Sequence, residues 1–562
     1  MPTVTLQQAM DAAIQQLQAG RATEAGQICQ QVLATFPRHW PAMLVLALVK
    51  HQTGDTQGGI QLLRQAIAIE PNFADCHNNL GEMLRSIGEF DEAERCFVRC
   101  LELNPLSAAT YSNLGELHRQ QRRFDEAVAN YHKAIELEPN NPTPVMNLAV
   151  ALHESRRVEE AIEHYRKAIS LSPGYVDAHG NLGAALMDIG RPEEAMAEFE
   201  LAVRLQPNHP TVHINLGTAL TYGHRLDQAI ASLRRAIALD PNRADAHQNL
   251  AHALLLAGEW SAGFEEFEWR WRGSLRNLRR EFTQPLWDGS DPAGKRILVY
   301  PEQGFGDAIQ FARYVPMLAD RGATVILQAH PGQRSLMQSL AGAARVIERD
   351  EPAEFDLQIP IMSLPRAFRT TPQSAPWNGA YLHADEKLME QWRQRLMPAE
   401  GRLTVGLAWG GRVTFPRDLI RSMSLPLLAP LGRVRGIRWV SLQVGPRARE
   451  PAPEGLDLIR FDQQLNDFSD TAALMSNLDL VITTDTAAAH LAGALGRRVW
   501  TLLASAADWR WGISGETTPW YPSMHLYRQP RLGDWASVVE TVAKDLEQLV
   551  GSQIANQTPD LT

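Results

Sequence analysis

A repeat of 34 residues dominates the first half of this 562-residue chain. Proline returns at that interval, at Pro37, Pro71, Pro105, Pro139, Pro173, Pro207 and Pro241. A leucine keeps the same interval, at Leu80, Leu114, Leu148, Leu182, Leu216 and Leu250. A fixed period of about 20–50 residues indicates units that stack on their neighbours, because no single unit can bury its apolar face alone. This feature restricts the first half of the chain to a solenoid.

Small residues recur in the same register and predict how each unit is built. One small position follows the leucine, at Gly81, Gly115, Ala149, Gly183, Gly217 and Ala251, and a second recurs at Ala93, Ala127, Ala161, Ala195 and Ala229. Two amphipathic helices can approach closely at such positions, and proline ends the second helix because it lacks an N–H. The pattern resembles the tetratricopeptide repeat. It predicts an N-terminal all-α superhelix over residues 1–272.

Asparagine precedes the repeated leucine in six copies, at Asn79, Asn113, Asn147, Asn181, Asn215 and Asn249. Asparagine is a mediocre helix former because its amide competes for backbone hydrogen bonds. One interpretation is a ladder along the repeat groove that holds an acceptor polypeptide, since an amide both donates and accepts. Such a ladder resembles the one in the repeats of eukaryotic O-GlcNAc transferase. The other interpretation is hydrogen bonding within or between repeats, and the sequence leaves both open.

The charge and the cysteines exclude several classes of function. A net charge of −10 argues against nucleic acid or an anionic membrane as the main partner. The N-terminus lacks a basic, apolar leader and no apolar run is long enough to span a bilayer, so we expect a cytoplasmic protein. The four cysteines have no paired or metal-binding spacing and predict buried thiols. The chain also has one basic stretch, which we interpret as a solvated helix face. Its residues are Arg270, Arg272, Arg276, Arg279 and Arg280.

Short apolar runs alternate with helical stretches in the second half and predict an α/β region. The runs cover residues 296–300, 324–327, 357–359, 404–408, 439–442, 480–483 and 499–503. Their alternation with helices favours parallel sheets with crossover helices. We predict four further segments: a linker over 273–292, a first Rossmann-like half over 293–396, a second half over 397–552, and a disordered tail over 553–562.

Two motifs stand at the ends of predicted strands, where such sheets bind their ligands. The first is Gly304-Phe305-Gly306-Asp307 and the second is Asp485-Thr486-Ala487-Ala488-Ala489-His490. Backbone amides at the start of a helix suit a diphosphate. Taken singly, each motif also has a purely structural interpretation. That interpretation is a tight turn, a helix N-cap for the acidic and threonine side chains, and a buried packing role for the histidine.

Together the motifs resemble the ADP-heptose heptosyltransferase family, which has the GT-B fold, over residues 293–550. That family has a G-D loop after its first strand and a D-T-x-x-x-H-L segment in its second half. Residues 406–411, followed by Arg421, resemble its phosphate-contacting loop. The chain departs from the family at Gln310, where the family usually has histidine. It also contains no D-x-D motif, so we expect no metal.

The resemblance implies a role for each matched residue. Asp307 matches the proposed general base, which takes the proton of the acceptor hydroxyl. Asp485 matches the residue that holds the hydroxyls of the donor sugar. The other implied donor-binding residues are Gly304, Gly306, Arg421, Thr486, Ala487 and His490. Gln443 joins them because it lies at the end of a predicted strand.

Two hypotheses about function follow. The first is an inverting, metal-independent glycosyltransferase with two GT-B-like Rossmann-like halves. It would move a sugar from a nucleotide-diphosphate donor, with an ADP-linked sugar as one candidate, to a protein or peptide acceptor in the repeat groove. This co-substrate is the only small molecule it would need. The second hypothesis is a non-catalytic repeat scaffold whose transferase-like half is degenerate. The first requires Asp307 and Asp485 to face each other across a cleft.

Overall fold

A computed structural model of the protein describes residues 5–396, 402–412 and 418–557. The chain divides into two compact units, Met1–Pro207 and Asn208–Thr562. The division therefore falls inside the repeats. The last two helix pairs belong with the C-terminal part of the chain, which differs from the predicted boundary after residue 272.

Helix pairs form the described part of the repeat region, which confirms the predicted all-α tetratricopeptide architecture. The first helices of the pairs are α1 Leu6–Gln18, α3 Trp40–Gln52, α5 Ala74–Ser86, α7 Ala108–Gln120, α9 Pro142–Glu154, α11 Val176–Asp188, α13 Pro210–Tyr222 and α15 Ala244–Leu256. The second helices are α2 Ala22–Thr35, α4 Thr56–Ile69, α6 Phe90–Leu103, α8 Phe124–Leu137, α10 Val158–Leu171, α12 Pro192–Leu205, α14 Leu226–Leu239 and α16 Trp260–Phe267. A repeated proline stands two residues beyond the end of each second helix from α2 to α14.

The repeated glycines lie where helices touch, as the sequence predicts. A Cβ added at Gly81, Gly115 or Gly183 would stand 2.6–2.8 Å from the ring of an aromatic residue 16 positions later. These rings belong to Phe97, Tyr131 and Phe199. In each pair, the ring therefore packs directly against the backbone at the glycine. Any larger residue at that position would push the two helices apart.

A residue with positive φ joins the two helices of every pair. The eight residues are Gly20, Gly54, Gly88, Arg122, Arg156, Gly190, His224 and Gly258, and they too are 34 residues apart. Glycine adopts this left-handed conformation without strain, whereas a residue with a Cβ does so at a cost of about 1 kcal/mol. Because three of the eight are arginine or histidine, the sequence pattern alone does not reveal this marker.

Two parallel sheets form the α/β region. Their strands are β1 Arg296–Tyr300, β2 Thr324–Gln328, β3 Ala343–Ile347, β4 Leu357–Pro360, β5 Leu403–Ala408, β6 Ile437–Ser441, β7 Leu458–Arg460, β8 Leu480–Thr484, β9 Val499–Leu503 and β10 Met524–Arg528. The first sheet has the order β3-β2-β1-β4 and the second has the order β10-β9-β8-β5-β6-β7. All of their strand pairs are parallel, which confirms the predicted α/β class.

Each predicted apolar run is a strand, and the three strands that the sequence misses lie at sheet edges. These are β3, β7 and β10. An edge strand has a neighbour on one side only and tolerates polar residues, so it lacks the continuous apolar run of a central strand. The strand AARVI of β3, for example, exposes Ala344-Arg345 to solvent.

Helices cover the strands and complete the α/β units. They are α17 Phe305–Phe311, α18 Tyr314–Asp320, α19 Arg334–Met337, α20 Leu364–Ala367, α21 Glu386–Leu396, α22 Asp418–Arg421, α23 Phe468–Ser476, α24 Ala487–Ala494 and α25 Trp535–Gln557. The last helix continues through residues 553–557, so the predicted tail is wrong for these five residues. None of them is glycine or proline, and nothing there interrupts the helix. Residues 558–562 lie outside the described part.

The strand order places the two sequence motifs at the ligand-binding edges of the sheets. In the first sheet, the order reverses at β1, and the first motif follows β1. In the second sheet, it reverses between β5 and β8, and the second motif follows β8. Ligands of open α/β sheets bind in the crevice at such reversal points.

The last helix of the repeats packs directly on the α/β region. Trp260 of α16 stacks on Trp520, with ring centroids 5.0 Å apart, and Phe264 contacts Trp509 edge-on. Just after α16, Arg270 is buried and forms ion pairs with Glu268 and Glu302. The interpretation of the basic stretch as a solvated face is therefore wrong for Arg270, because its charge neutralises a buried carboxylate.

Other predictions concern the whole chain. All four cysteines are free and buried, as predicted. Among the described residues, every helix is too short or too polar to cross a bilayer.

We expect the α/β region to need the last two helix pairs in order to fold. A chain of residues 208–562 should unfold cooperatively, whereas a chain of residues 273–562 should aggregate because it exposes Trp520 and leaves Glu302 without Arg270. Circular dichroism and thermal melting of the two truncated chains check this. In the full chain, Trp260→Ala should cost about 3–5 kcal/mol of the free energy of unfolding. A stable, monomeric 273–562 chain would contradict the prediction.

Candidate functional site

The two sequence motifs meet where α17 crosses α24. A Cβ added at Gly306 would stand 2.7 Å from Cδ2 of His490 and 3.5 Å from Cα of Ala487. Gly306 lies in the first turn of α17 and Ala487 is the first residue of α24. The absence of a side chain at Gly306 therefore lets the starts of both helices come together, one from each half.

Asp307 lies in the first turn of α17 with a partner on each oxygen. The N–H of Gly304, at the N-cap, donates to Oδ2 over 3.0 Å. Nη2 of Arg510 donates to Oδ1 over 2.5 Å. The side chain keeps 21% of its surface exposed. Asp307 is therefore not itself the N-cap, and it combines an ion pair with access from solvent.

Arg510 is the site residue that the sequence analysis missed. It lies in the 3₁₀ turn Trp509–Trp511 after β9. Besides Asp307, it donates to Gln310 through Nε over 2.6 Å and to Asp508 through Nη1 over 2.7 Å. The signal in the sequence that could have identified Arg510 is its position between two tryptophans. Large apolar neighbours on both sides favour burial of the arginine.

Asp485 follows β8 and is half-buried. The pKa of Asp485 is raised to about 6, because burial and the negative charge of Asp508 outweigh the opposing charges of Arg421 and Arg510. Asp485 and Asp307 both act electrostatically on the guanidinium of Arg510, and Asp307 also forms an ion pair with it.

Arg421 also reaches this site. It ends the short helix α22, and its Nη2 lies 2.8 Å from where a Cβ on Gly411 would stand. Its charge lowers the pKa of Asp485. The structure therefore groups Arg421 with the second motif, at the crevice between β5 and β8.

Thr486 is the N-cap of α24, and His490 packs as a buried side chain, which are the structural interpretations of the second motif. Oγ1 of Thr486 accepts the N–H of Ala488 over 3.3 Å, as an N-cap does. The ring of His490 stacks on Trp511, and its Nδ1 shares a hydrogen bond with the hydroxyl of Tyr521. Burial holds the pKa of His490 well below its usual value, so the ring is neutral. These roles shape α24 around the crevice.

Gln443 organises the loop after β5. Its Oε1 accepts the N–H groups of Trp409 and Gly410, and its Nε2 donates to the carbonyl oxygen of Gly410 over 3.0 Å. The amide is therefore occupied by backbone in this structure, and the predicted contact of Gln443 with a donor stays a prediction.

Two further polar groups near Asp307 were not predicted. Glu302, in the loop before α17, is buried, and burial raises its pKa to about 7. His330 follows β2, and its ring lies 5.1 Å from that of Phe305. Burial lowers the pKa of His330, while the charge of Asp307 opposes this. His330 comes close to the motif only through the packing of separate strands, which spacing along the chain does not reveal. Glu302 lies two residues before Gly304, and the sequence does not reveal its burial against Arg270.

The repeated asparagines fall into two groups. Asn79 donates to the carbonyl oxygen of Asp75 in its own helix, and Asn113 donates to Oδ1 of Asn78 in the preceding repeat. The other four amides form no side-chain hydrogen bond to any described residue: Asn147, Asn181, Asn215 and Asn249. All six are half-buried. Packing bonds thus account for two positions of the six.

We expect Gly306→Ala to separate the two motifs. Its Cβ would overlap the ring of His490, which Trp511 and Tyr521 hold in place, and such overpacking costs about 1–3 kcal/mol. Gly304→Ala is the matched control, since its Cβ would meet only Oδ2 of Asp307 at 3.3 Å. Thermal melts of both variants measure the difference. Equal melting temperatures would show that the helices are not in close contact at Gly306.

Comparison with known families supports both parts of this architecture. Residues 72–139, 113–176, 152–217 and 219–258 match models of the tetratricopeptide repeat. Residues 466–540 match the model of glycosyltransferase family 9 (heptosyltransferase). That match contains the second motif, α24 and the turn that carries Arg510.

Individual proteins align with parts of the chain. Protein FlbA of Caulobacter vibrioides is 27% identical over 331 residues, which cover 53% of this chain and 54% of FlbA. The UDP-N-acetylglucosamine–peptide N-acetylglucosaminyltransferase of Caenorhabditis elegans is 32% identical over 89 residues, 16% of this chain and 8% of that protein. The chain thus spans about half, or much less, of the length of these relatives.

Among solved structures, the tetratricopeptide protein YrrB, described as having an unusual peptide-binding site, is 23% identical. It aligns over 33% of this chain and 95% of its own, with a TM-score of 0.28. The family matches and the fold agree: this chain joins tetratricopeptide repeats to a C-terminal α/β region that contains a glycosyltransferase family 9 domain.

Proposed function

We propose that the protein is an inverting glycosyltransferase that moves a sugar from a nucleotide-diphosphate donor to a protein or peptide acceptor. The observation that carries the proposal is the meeting of the two motifs at Gly306, together with the ion pair between Asp307 and Arg510 of the second half. One carboxylate belongs to each half, and each lies at a reversal point of its sheet. The family 9 match over residues 466–540 supports a nucleotide-sugar donor on the second half.

The donor diphosphate would lie at the crevice between β5 and β8. There the N-terminus of α24 provides backbone amides and a favourable dipole, and Arg421 provides positive charge. These groups would stabilise the leaving diphosphate without a metal ion. Asp485 would accept hydrogen bonds from hydroxyls of the donor sugar, and an ADP-linked sugar remains one candidate.

Asp307 would act as the general base. It would take the proton of an acceptor hydroxyl while that oxygen bonds to the anomeric carbon and the bond from this carbon to the diphosphate breaks. The electron pair of the broken bond leaves with the nucleotide diphosphate. Because attack and departure occur on opposite faces, the anomeric configuration inverts.

The repeats would present the acceptor. Four of the repeated asparagine amides form no hydrogen bond to a described residue, and they can bind any peptide backbone. The partial match to a peptide N-acetylglucosaminyltransferase is in keeping with a polypeptide acceptor.

One observation favours the scaffold alternative. Both oxygens of Asp307 already have partners within the protein, and a carboxylate in an ion pair is a weaker base. A degenerate transferase half would bind nucleotide or assemble without turnover. The test must therefore separate binding from transfer.

We expect Asp307→Asn to bind the donor normally and to lose transfer by at least about 10²-fold, because a positioned general base contributes that much. The donor is first identified by thermal shift against a panel of ADP-, UDP- and GDP-linked sugars, since ligand binding raises the stability of the folded state. Transfer to peptides is then followed by mass spectrometry, with and without EDTA.

Three outcomes would contradict parts of the proposal. Unchanged transfer by Asp307→Asn would refute its role as base. A strict requirement for a divalent ion would refute the metal-free mechanism. Donor binding by the wild-type chain without any transfer would favour the scaffold.

We expect the triple change Asn147→Ala, Asn181→Ala and Asn215→Ala to weaken acceptor use alone. The melting temperature should hold, because alanine is the better helix former and these amides have no described partner. Asn113→Ala is the matched control. It removes a hydrogen bond between repeats and should cost about 1 kcal/mol of stability. An early melt of the triple variant with normal transfer would favour packing over the ladder.

A further inference from the structure

We propose that Arg510 is a positioning residue for Asp307, supplied by the donor half to the base of the acceptor half. This inference rests on the proposed transferase function. It adds a residue to the mechanism that neither motif contains.

The guanidinium of Arg510 uses its three nitrogens on three different side chains. Nη2 donates to Asp307, Nε to Gln310 and Nη1 to Asp508, over 2.5–2.7 Å. Asp307 and Gln310 belong to α17, one turn apart, whereas Asp508 belongs to the same turn as the arginine. The planar fork can satisfy all three at once, which a lysine ammonium on a flexible stem cannot do with the same geometry.

Aromatic packing holds the turn that carries Arg510. Arg510 stands between Trp509 and Trp511, and both rings are buried. Trp509 contacts Trp260 and Phe264 of α16, while Trp511 stacks on His490. The arginine is thus held from the side of the repeats and from the side of α24, and only 8% of its side chain is exposed.

This geometry explains why glutamine stands at position 310. Gln310 is fully buried, and its Oε1 accepts the Nε–H of Arg510. A carboxamide offers a neutral acceptor at every pH. A histidine here would carry a positive charge toward the guanidinium whenever it became protonated. Gln310 and Arg510 therefore act as a hydrogen-bonded pair. Gln310 is the member of this pair at which the sequence departs from the family that it resembles.

The chemical consequence concerns the direction of Asp307. The guanidinium holds Oδ1. This leaves Oδ2, bonded to the N–H of Gly304, to take the proton of the acceptor hydroxyl. Arg510 does not take part in bond making. It sets the direction in which the base points.

The other charged groups near Asp307 do not replace this contribution. Glu302 is negative when ionised and His330 is neutral through burial, so neither stabilises the carboxylate as the arginine does. Asp508 and Asp485 act on Arg510 and are negative as well. Loss of Arg510 should therefore leave the Asp307 carboxylate without an ion pair to any described residue, and free to turn away from the acceptor hydroxyl.

The decisive measurement is kcat and the KM for the acceptor, for wild type, Arg510→Gln and Arg510→Lys, with the nucleotide sugar identified by thermal shift. We expect the kcat of Arg510→Gln to fall by about 10–100-fold, because a misdirected base loses part of what a positioned one contributes, while KM stays within about twofold. Calorimetric affinity for the donor should also stay within about twofold, and Arg510→Lys should restore part of kcat. Arg498→Gln makes the same change at an exposed arginine of the second half, and it should alter none of these quantities.

Loss of donor affinity with an unchanged kcat would overturn the proposal and make Arg510 a donor ligand. A second test needs no turnover: a thermal double-mutant cycle of Asp307→Asn and Arg510→Gln. If the two side chains interact, the double variant should melt well above the temperature that adding the two single effects predicts. Additive effects would overturn the pair whether or not sugar is transferred. A non-additive cycle in a wild-type chain that transfers no sugar would keep the ion pair but reject the transferase function.

Discussion

The close approach of α17 to α24 at Gly306 is the contact on which the site depends. Each helix begins at the reversal point of its own sheet, and each brings one acidic residue. Without a side chain at Gly306, the ring of His490 and the first residue of α24 fit against the first turn of α17, and Trp511 stacks on that ring. Two sheets that never share a hydrogen bond in the described ladders thus face each other at their strand ends.

Buried charge is the second constraint, and arginines satisfy it on both sides of the site. Arg270 neutralises Glu302 in the loop before α17, and Arg510 neutralises Asp307 and Asp508. Removing one member of a buried pair costs about 3–5 kcal/mol, because the other charge stays out of water. The arginines therefore fix the conformation of the loops as well as their electrostatics. Asp485 differs from these carboxylates, because burial raises its pKa by more than the neighbouring arginines lower it.

The last repeat belongs physically to the α/β region. Arg270 follows α16 and reaches Glu302 in the loop before α17, the helix that carries Asp307, while Trp260 and Phe264 of α16 pack against the turn that carries Arg510. A strain or displacement in α16 would therefore reach both halves of the site through direct contacts. This arrangement gives the repeats a structural part in the site, in addition to any role in holding an acceptor.

The sequence by itself determined the local architecture, because local architecture follows from periodic patterns. The interval of 34 residues specified the helix pairs, and the continuous apolar runs specified all the central strands. Spacing also located Asp307 and Asp485 at strand ends, and resemblance assigned them roles. Only the tertiary structure decided which residues surround them. Arg510 and His330 lie far from Asp307 along the chain, and the amide of Gln443 is occupied by backbone. Partners of this kind are set by how elements cross, and a contact between distant segments leaves no periodic trace in one sequence.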